Sequence, residues 1–175
     1  RVLQTVTVTE GAKRASLSPF NGFAVDFEID FASSVIGRQS RRFDSGVDSY
    51  KTDIARARTF GFLHEVEQLR ASGLALGGSL ANAVVIDGDG VVNEEGLRYR
   101  DEFVRHKILD AIGDLYLAGA PILGRFDAVR SGHELNNRLL RELFSRPQAF
   151  EIIEATEAAL APVTRLESVR KARRA

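Results

Sequence analysis

Phe23-Ala24-Val25-Asp26-Phe27-Glu28-Ile29-Asp30-Phe31 is the stretch that decides the fold. Phe23, Val25, Phe27, Ile29 and Phe31 alternate with Ala24, Asp26, Glu28 and Asp30. A period of two describes a β-strand with an apolar face on a core and a polar face away from it. Upstream, Ser18-Pro19-Phe20-Asn21-Gly22 is turn chemistry. Before the turn, Val2-Leu3-Gln4-Thr5-Val6-Thr7-Val8 reads as another strand, with Val2, Gln4, Val6 and Val8 on one face. Downstream, Ser33 to Tyr50 is polar and irregular and is expected to be a loop.

Further along, a helix is expected from Ser49 to Arg58, interrupted by Thr59-Phe60-Gly61-Phe62. A short helical segment from Leu63 to Ala71 follows, closed by Gly73, with Leu74-Ala75-Leu76 leaving it as a short strand that ends at Gly77-Gly78-Ser79. This is a β-α-β excursion of about 20 residues, short for such a crossover. Ala83-Val84-Val85-Ile86 and Val91-Val92 flank Asp87-Gly88-Asp89-Gly90, a hairpin signal. The strongest helix runs from Glu102 to Ala118, with Val104, Ile108, Ala111, Ile112 and Leu115 as its apolar stripe and Gly119 and Pro121 as its stop. A strand at 122–126 and helices near 134–145 and 147–160, broken at Pro147, complete the reading. Hairpins and helices mixed in this way predict one α+β domain: a two-layer sandwich of a mixed or antiparallel sheet packed on helices, with a short β-α-β insert.

Composition excludes several functions. The chain has 175 residues, with 24 Lys and Arg balancing 24 Asp and Glu, so it carries no electrostatic case for nucleic-acid binding. There is no Cys, hence no disulfide framework, thiolate metal site or Cys nucleophile. No apolar run approaches the roughly 20 residues of a membrane span. The chain also lacks Met and opens on Arg1, so a fragment or processed piece is expected.

The polar face of the Glu102–Ala118 helix carries the chemistry. His106, Asp110 and Asp114 stand at i, i+4 and i+8, inside an arc of roughly 80° opposite the apolar stripe. A His and an Asp at i, i+4 are spaced to reach one metal ion. A merely solvated polar face would give the same spacing; Lys107 beside the stack and Gly113 within it weigh against that reading. Catalytic zinc takes three protein ligands, and His133 in Ser131-Gly132-His133 is the local option for the third, unless it is simply a residue near a helix N-terminus. His64, among Glu65, Glu67 and Gln68, reads as a solvated surface residue. Gly77-Gly78-Ser79 lacks the spacing of a phosphate loop and reads as a tight turn. Asp87-Gly88-Asp89-Gly90 lacks the rest of a calcium-loop pattern. No nucleophile elbow is present.

Ala57-Arg58-Thr59-Phe60-Gly61-Phe62, Gly73-Leu74-Ala75-Leu76-Gly77-Gly78-Ser79-Leu80, the run from Gly96-Leu97-Arg98-Tyr99 through Glu102-Phe103-Val104-Arg105-His106-Lys107-Ile108-Leu109-Asp110 to Asp114, and Ser131-Gly132-His133-Glu134-Leu135-Asn136-Asn137 occur in this order. Together they resemble UDP-3-O-acyl-N-acetylglucosamine deacetylase, the zinc enzyme of lipid A synthesis in Gram-negative bacteria, over nearly the whole chain to about Glu154. The resemblance implies that His106 and Asp110 ligate Zn2+. It moves His133 from ligand to cationic general acid or electrostatic stabiliser, oriented by Asp114. It gives the Thr59 hydroxyl to the developing oxyanion and sets Lys107 beside substrate near the metal. Asp30 and Phe31 would hold the uridine end and Lys13 would lie near the diphosphate. An insert at 60–80 would form an apolar passage for the acyl chain, lined or shaped by Val66, Leu69, Ala75, Gly78, Ser79, Leu80 and Val85, with Phe60 and Gly132 also at the substrate.

On this resemblance residues 1–160 are the second, C-terminal domain of a cytoplasmic, monomeric enzyme, and 161–175 form a basic tail expected to be disordered. The family's third zinc ligand, a histidine, and its general-base glutamate lie in a preceding domain. With that domain absent before Arg1, the expectation is half an active site, weak zinc binding and very slow hydrolysis. Ser33-Ser34 stands where the family usually shows His-Pro, and Ala81 where the residue is usually polar. The alternative is a non-catalytic domain that binds a UDP-sugar or an acyl chain and lacks its partner half. The stack of His106, Asp110, Asp114 and His133 argues against it, since a mere binder has no need of those groups.

Overall fold

A computed structural model describes residues 1–73 and 76–154, with the side chains of Glu67, Leu69 and Arg70 left aside. The alternation at Phe23–Phe31 is realised as β3 (Phe23–Asp30): Val25, Phe27 and Ile29 are at most 2% exposed, while Asp26, Glu28 and Asp30 lie half-buried on the opposite face. β3 sits inside a five-stranded sheet with β1 (Val6–Glu10), β2 (Lys13–Ser18), β4 (Arg38–Asp44) and β8 (Gly124–Val129), in the order β1-β2-β8-β3-β4. The β3–β8 pair is parallel and the others are antiparallel. A smaller sheet holds β5 (Thr59–Phe62), β6 (Ala83–Asp87) and β7 (Gly90–Val91), with β5 and β6 parallel and α1 (Leu63–Ala71) between them in the chain.

Two helices, α2 (Glu102–Leu115) and α3 (His133–Phe144), cover the apolar face of the large sheet. Val104, Ile108, Ala111 and Leu115 of the expected stripe are buried among Val25, Phe27, Ile29 and Phe126, and Phe103 joins them. A 3-10 turn, Tyr116–Ala118, ends α2 at Gly119, whose φ of +79° is the left-handed value that suits glycine as a helix stop. The α+β sandwich expected from the sequence is the architecture observed.

Several elements differ from expectation. The first strand is Val6–Glu10 rather than 2–8; it forms a hairpin with the unforeseen β2, while Val2 bridges separately to Phe150. The expected loop at 33–50 contains β4, an edge strand in which Gln39, Arg41 and Phe43 point inward and Ser40 and Arg42 outward. A charged edge strand resists pairing with other chains, and that charge hides its apolar period. The helix expected over 49–58 shrinks to one π-helical turn, Tyr50–Ile54, capped by Ser49. Thr59–Phe62 is a strand, not an interruption, and its partner in the β-α-β unit is Ala83–Asp87. The strand expected at 74–76 falls mostly outside the described residues. The strand expected at 122–126 lies at 124–129. In place of a helix over 147–160 there is a 3-10 turn, Pro147–Ala149, because Phe150 is extended to meet Val2; the remainder past 154 lies outside the described residues.

Gly124 marks a close approach of three segments. A Cβ there would lie 2.8 Å from Val2 Cγ2 and 3.2 Å from the Ser18 carbonyl oxygen. Gly124→Ala is therefore expected to destabilise the fold by about 1–3 kcal/mol, read as a lower urea midpoint with an unchanged m-value.

Candidate active site

α2 presents its polar face at the end of the sheet where the β8–α3 connection and β5 arrive. His106 Nε2 lies 3.3 Å from Asp110 Oδ1, one helical turn on, with both side chains 14% exposed. The other ring nitrogen, Nδ1, is 3.3 Å from the carbonyl oxygen of Ala57. A carbonyl can only accept, so Nδ1 carries the proton and the Nε2 lone pair faces Asp110. Burial pushes the His106 imidazole below its ordinary value and outweighs the opposing pull of the Asp110 carboxylate. Lys107 Nζ holds the other Asp110 oxygen, Oδ2, at 2.7 Å.

Across the face, His133 begins α3 and stands 68% exposed. Its Nδ1 is 3.0 Å from each oxygen of Asp114, and its Nε2 is 3.9 Å from Asp110 Oδ2. Asp114 also accepts from Asn136 Nδ2 at 2.8 Å, and Ser131 Oγ donates to Asn136 Oδ1 at 2.6 Å. Nothing in the sequence marks Asn136 for a role; its place beside Asp114 appears only when α3 packs on α2.

The His106–Asp110 pair suits a metal ion in donor chemistry and spacing. Donors at about 2.0–2.1 Å on a tetrahedral ion sit roughly 3.3 Å apart, as Nε2 and Oδ1 do. Lys107 occupies only the oxygen turned away from His106. Two donors are fewer than the three a catalytic zinc takes from protein. Among the described residues no cluster of three or more His, Asp or Glu side chains is placed to hold an ion.

A second network sits under the first turn of α2. Arg58 and Glu102 are 2% and 0% exposed at the side chain. Glu102 Oε1 accepts from the Arg58 backbone N–H at 3.0 Å and from Nε at 2.9 Å; Oε2 accepts from Arg58 Nη2 at 3.1 Å and the Arg98 N–H at 2.6 Å. This pair clamps Ala57-Arg58 to α2, which fixes both the carbonyl on His106 and the start of β5 at Thr59. Thr59 itself is exposed. The next residue, Phe60, packs edge-on against Phe103, Phe31 and His106 with centroids 5.0, 5.6 and 6.1 Å away.

Beside the stack, a cleft of about 350 Å³ is lined by Lys13, Asp30, Phe31, Lys107, Arg130 and Ser131 among others. Three of its linings are cations. Arg130, passed over in the sequence, takes φ +53°, an uncommon value for a side-chain-bearing residue, and pairs with Asp30. Ser33 Oγ accepts from the Val35 and Ile36 N–H groups, and Ser34 Oγ donates to Asp89, so Ser33-Ser34 tie the loop after Phe31 to the β6–β7 hairpin.

Residues assigned to the insert are brought together in part. Gly61 pairs with Val85 across β5 and β6, and a Cβ on Gly61 would meet Val66 Cγ2 at 3.5 Å, so Val66 and Val85 share one side of the small sheet. Val85 is buried at 8% exposure, whereas Leu80 and Ser79 are exposed. The Ser79 N–H donates to Asn82 Oδ1 at 2.8 Å and Asn82 returns a bond to the Gly77 carbonyl, closing a tight turn. Gly78 is half-buried within it. Ala75 and the Leu69 side chain lie outside the described residues. Gly132 is the extended residue that leads into α3, and His64 is exposed, stacked on Phe62. Asp87-Gly88-Asp89-Gly90 is the hairpin turn.

The model of the LpxC family, UDP-3-O-acyl N-acetylglycosamine deacetylase, matches residues 1–145. The chain belongs to this family. A curated UDP-3-O-acyl-N-acetylglucosamine deacetylase from Pseudomonas entomophila (strain L48) is 50% identical over 171 residues, which is 97% of this chain and 56% of that protein. The chain thus spans about half the length of the curated deacetylase it matches. No helix among the described residues is long and apolar enough to cross a membrane.

Proposed function

We propose that this chain supplies part of the active site for zinc-dependent hydrolysis of the N-acetyl group of UDP-3-O-acyl-N-acetylglucosamine, the committed step of lipid A synthesis. The observation that carries the reading is the pair of stacked dyads on α2: a largely buried His106 with Asp110, and the open His133 held by Asp114. The name and half-length coverage of the similar protein support it.

In this reading His106 Nε2 and Asp110 Oδ1 are two of the ligands. When bound, zinc supplies polarisation of the acetamide carbonyl and activation of the attacking water. Lys107 keeps Asp110 Oδ2 occupied, so one oxygen is left for the ion. The Thr59 hydroxyl donates to the oxygen that gains charge. His133, with Nδ1–H on Asp114, gives the proton on Nε2 to the leaving amine. Lys13 lines the adjoining cleft at the diphosphate, with Asp30 and Phe31 at the uridine end and Lys107 beside substrate near the metal. Val66, Leu69, Ala75, Gly78, Ser79, Leu80 and Val85 line or shape the acyl passage, and Phe60 and Gly132 are also at the substrate. A remaining half contributes the third ligand and the general base, and the two halves work as a cytoplasmic monomer. Residues 1–160 are assigned to the second domain with 60–80 as its insert; the expected tail, 161–175, lies outside the described residues.

Calorimetric titration tests the metal assignment. The isolated chain is expected to bind zinc weakly, and His106→Ala to abolish that binding, because two donors on one helix leave the ion short of a full protein ligand set. Tight stoichiometric binding lost on His133→Ala would mean a locally completed site and would overturn the assignment of His133 as proton donor.

A further inference from the structure

We infer that Asn136 is a positioning residue for proton transfer by His133, acting through Asp114, with Ser131 setting the direction of its amide. The inference rests on the proposed role of His133. Its physical basis is a chain of four side chains with only one consistent set of donors and acceptors. An ionised Asp114 only accepts, so the Asn136 group 2.8 Å from Asp114 Oδ2 must be the amide N–H₂. The amide oxygen then faces Ser131, and the hydroxyl 2.6 Å away must donate to it. A flipped amide would set two acceptors against each other at a residue that is 1% exposed, where an unmatched polar group is costly.

The need for this device follows from exposure. His133 is 68% exposed at its side chain, and its ring is bonded through Nδ1 to Asp114. The ring can therefore point no better than the carboxylate that holds it. Asp114 is 13% exposed, and among the described residues the group that fixes its Oδ2 besides His133 is Asn136. Asn136 belongs to the first turn of α3, where its backbone N–H donates to the Gly132 carbonyl at 2.9 Å. It is rigid through the helix, and it transmits that rigidity from a buried site to an open one. Ser131, at 5% exposure in the connection from β8, closes the chain.

The test uses the metal-loaded, family-length protein containing this chain, with three readouts. Asn136→Leu, of matching size but without the amide, is expected to lower kcat about 10–100-fold with KM unchanged. In an Asp114→Asn background the same substitution is expected to cost little further, because the two residues act through one bond. Nitrogen-15 spectra with the imidazole neutral should show His133 losing its preference for the Nδ1–H form in Asn136→Leu. Should Asn136→Leu fail to fold, Ser131→Ala decides, with a smaller fall in kcat and the same loss of tautomer preference. An equal loss in the two backgrounds, or a His133 tautomer unmoved by either variant, overturns the inference. If instead His133→Ala leaves kcat intact, the failure lies with the proton-donor reading and not with the hydrogen-bond chain, which the spectra report independently.

Discussion

Replacing His133 by alanine in a protein of the family's full length is expected to lower kcat by about 10²–10⁴-fold, the range of a lost general acid. KM should change little, because the leaving amine needs its proton in the transition state and not in the bound substrate. Zinc content should be unchanged, since His133 Nδ1 is committed to Asp114 and its Nε2 lies 3.9 Å from the nearer Asp110 oxygen. His106→Ala should behave differently, losing metal and turnover together. Steady-state kinetics with metal analysis separates the two, and retained kcat in His133→Ala would remove His133 from the reaction.

Glu102→Gln is expected to destabilise the fold by about 3–5 kcal/mol, the range for stripping one partner from a buried ion pair. The Arg58 guanidinium would stay fully enclosed, with the half-exposed Glu95 as its remaining anion. Calorimetric melting checks this. The pH dependence has a definite sign. Burial alone raises the Glu102 carboxyl, but hydrogen bonds from the Arg58 side chain and from the Arg58 and Arg98 N–H groups outweigh it and hold the carboxyl below its ordinary 4.5. A depressed carboxylate contributes its full stability above the unfolded value and loses it as the pH falls through the folded one. The native protein should therefore lose this contribution below about 4.5, and Glu102→Gln should show a shallower acid decline. The consequence reaches the site, because the same clamp fixes the Ala57 carbonyl on which His106 rests.

What was legible in the sequence were the periodic elements. β3 alternates over Phe23–Phe31, α2 carries a stripe at helical spacing, and α3 lies within a residue of the helix expected at 134–145; all three have one face in the core. β4 was illegible because Phe43 is its lone inward apolar residue, and an edge strand under charge pressure shows little period. β2 was missed for a related reason, since Lys13 and Arg14 open it and only Ala15 and Leu17 are apolar. The helix expected after Pro147 failed because a long-range partner, Val2, draws Phe150 into extended form, and local propensity cannot report a contact so remote in the chain.

The same division runs through the site. By itself the sequence determined that His106, Asp110 and Asp114 share a helix face, because 3.6 residues per turn brings i, i+4 and i+8 together whatever the rest of the chain does. Only the tertiary structure decided what those groups meet. It set His133 on Asp114 and Asn136 behind it across the α2–α3 packing, the Ala57 carbonyl on His106, Arg58 on Glu102, and Arg130 on Asp30. Those partners are far apart in sequence, and what sets their distances is the burial of an apolar core, which no local spacing encodes.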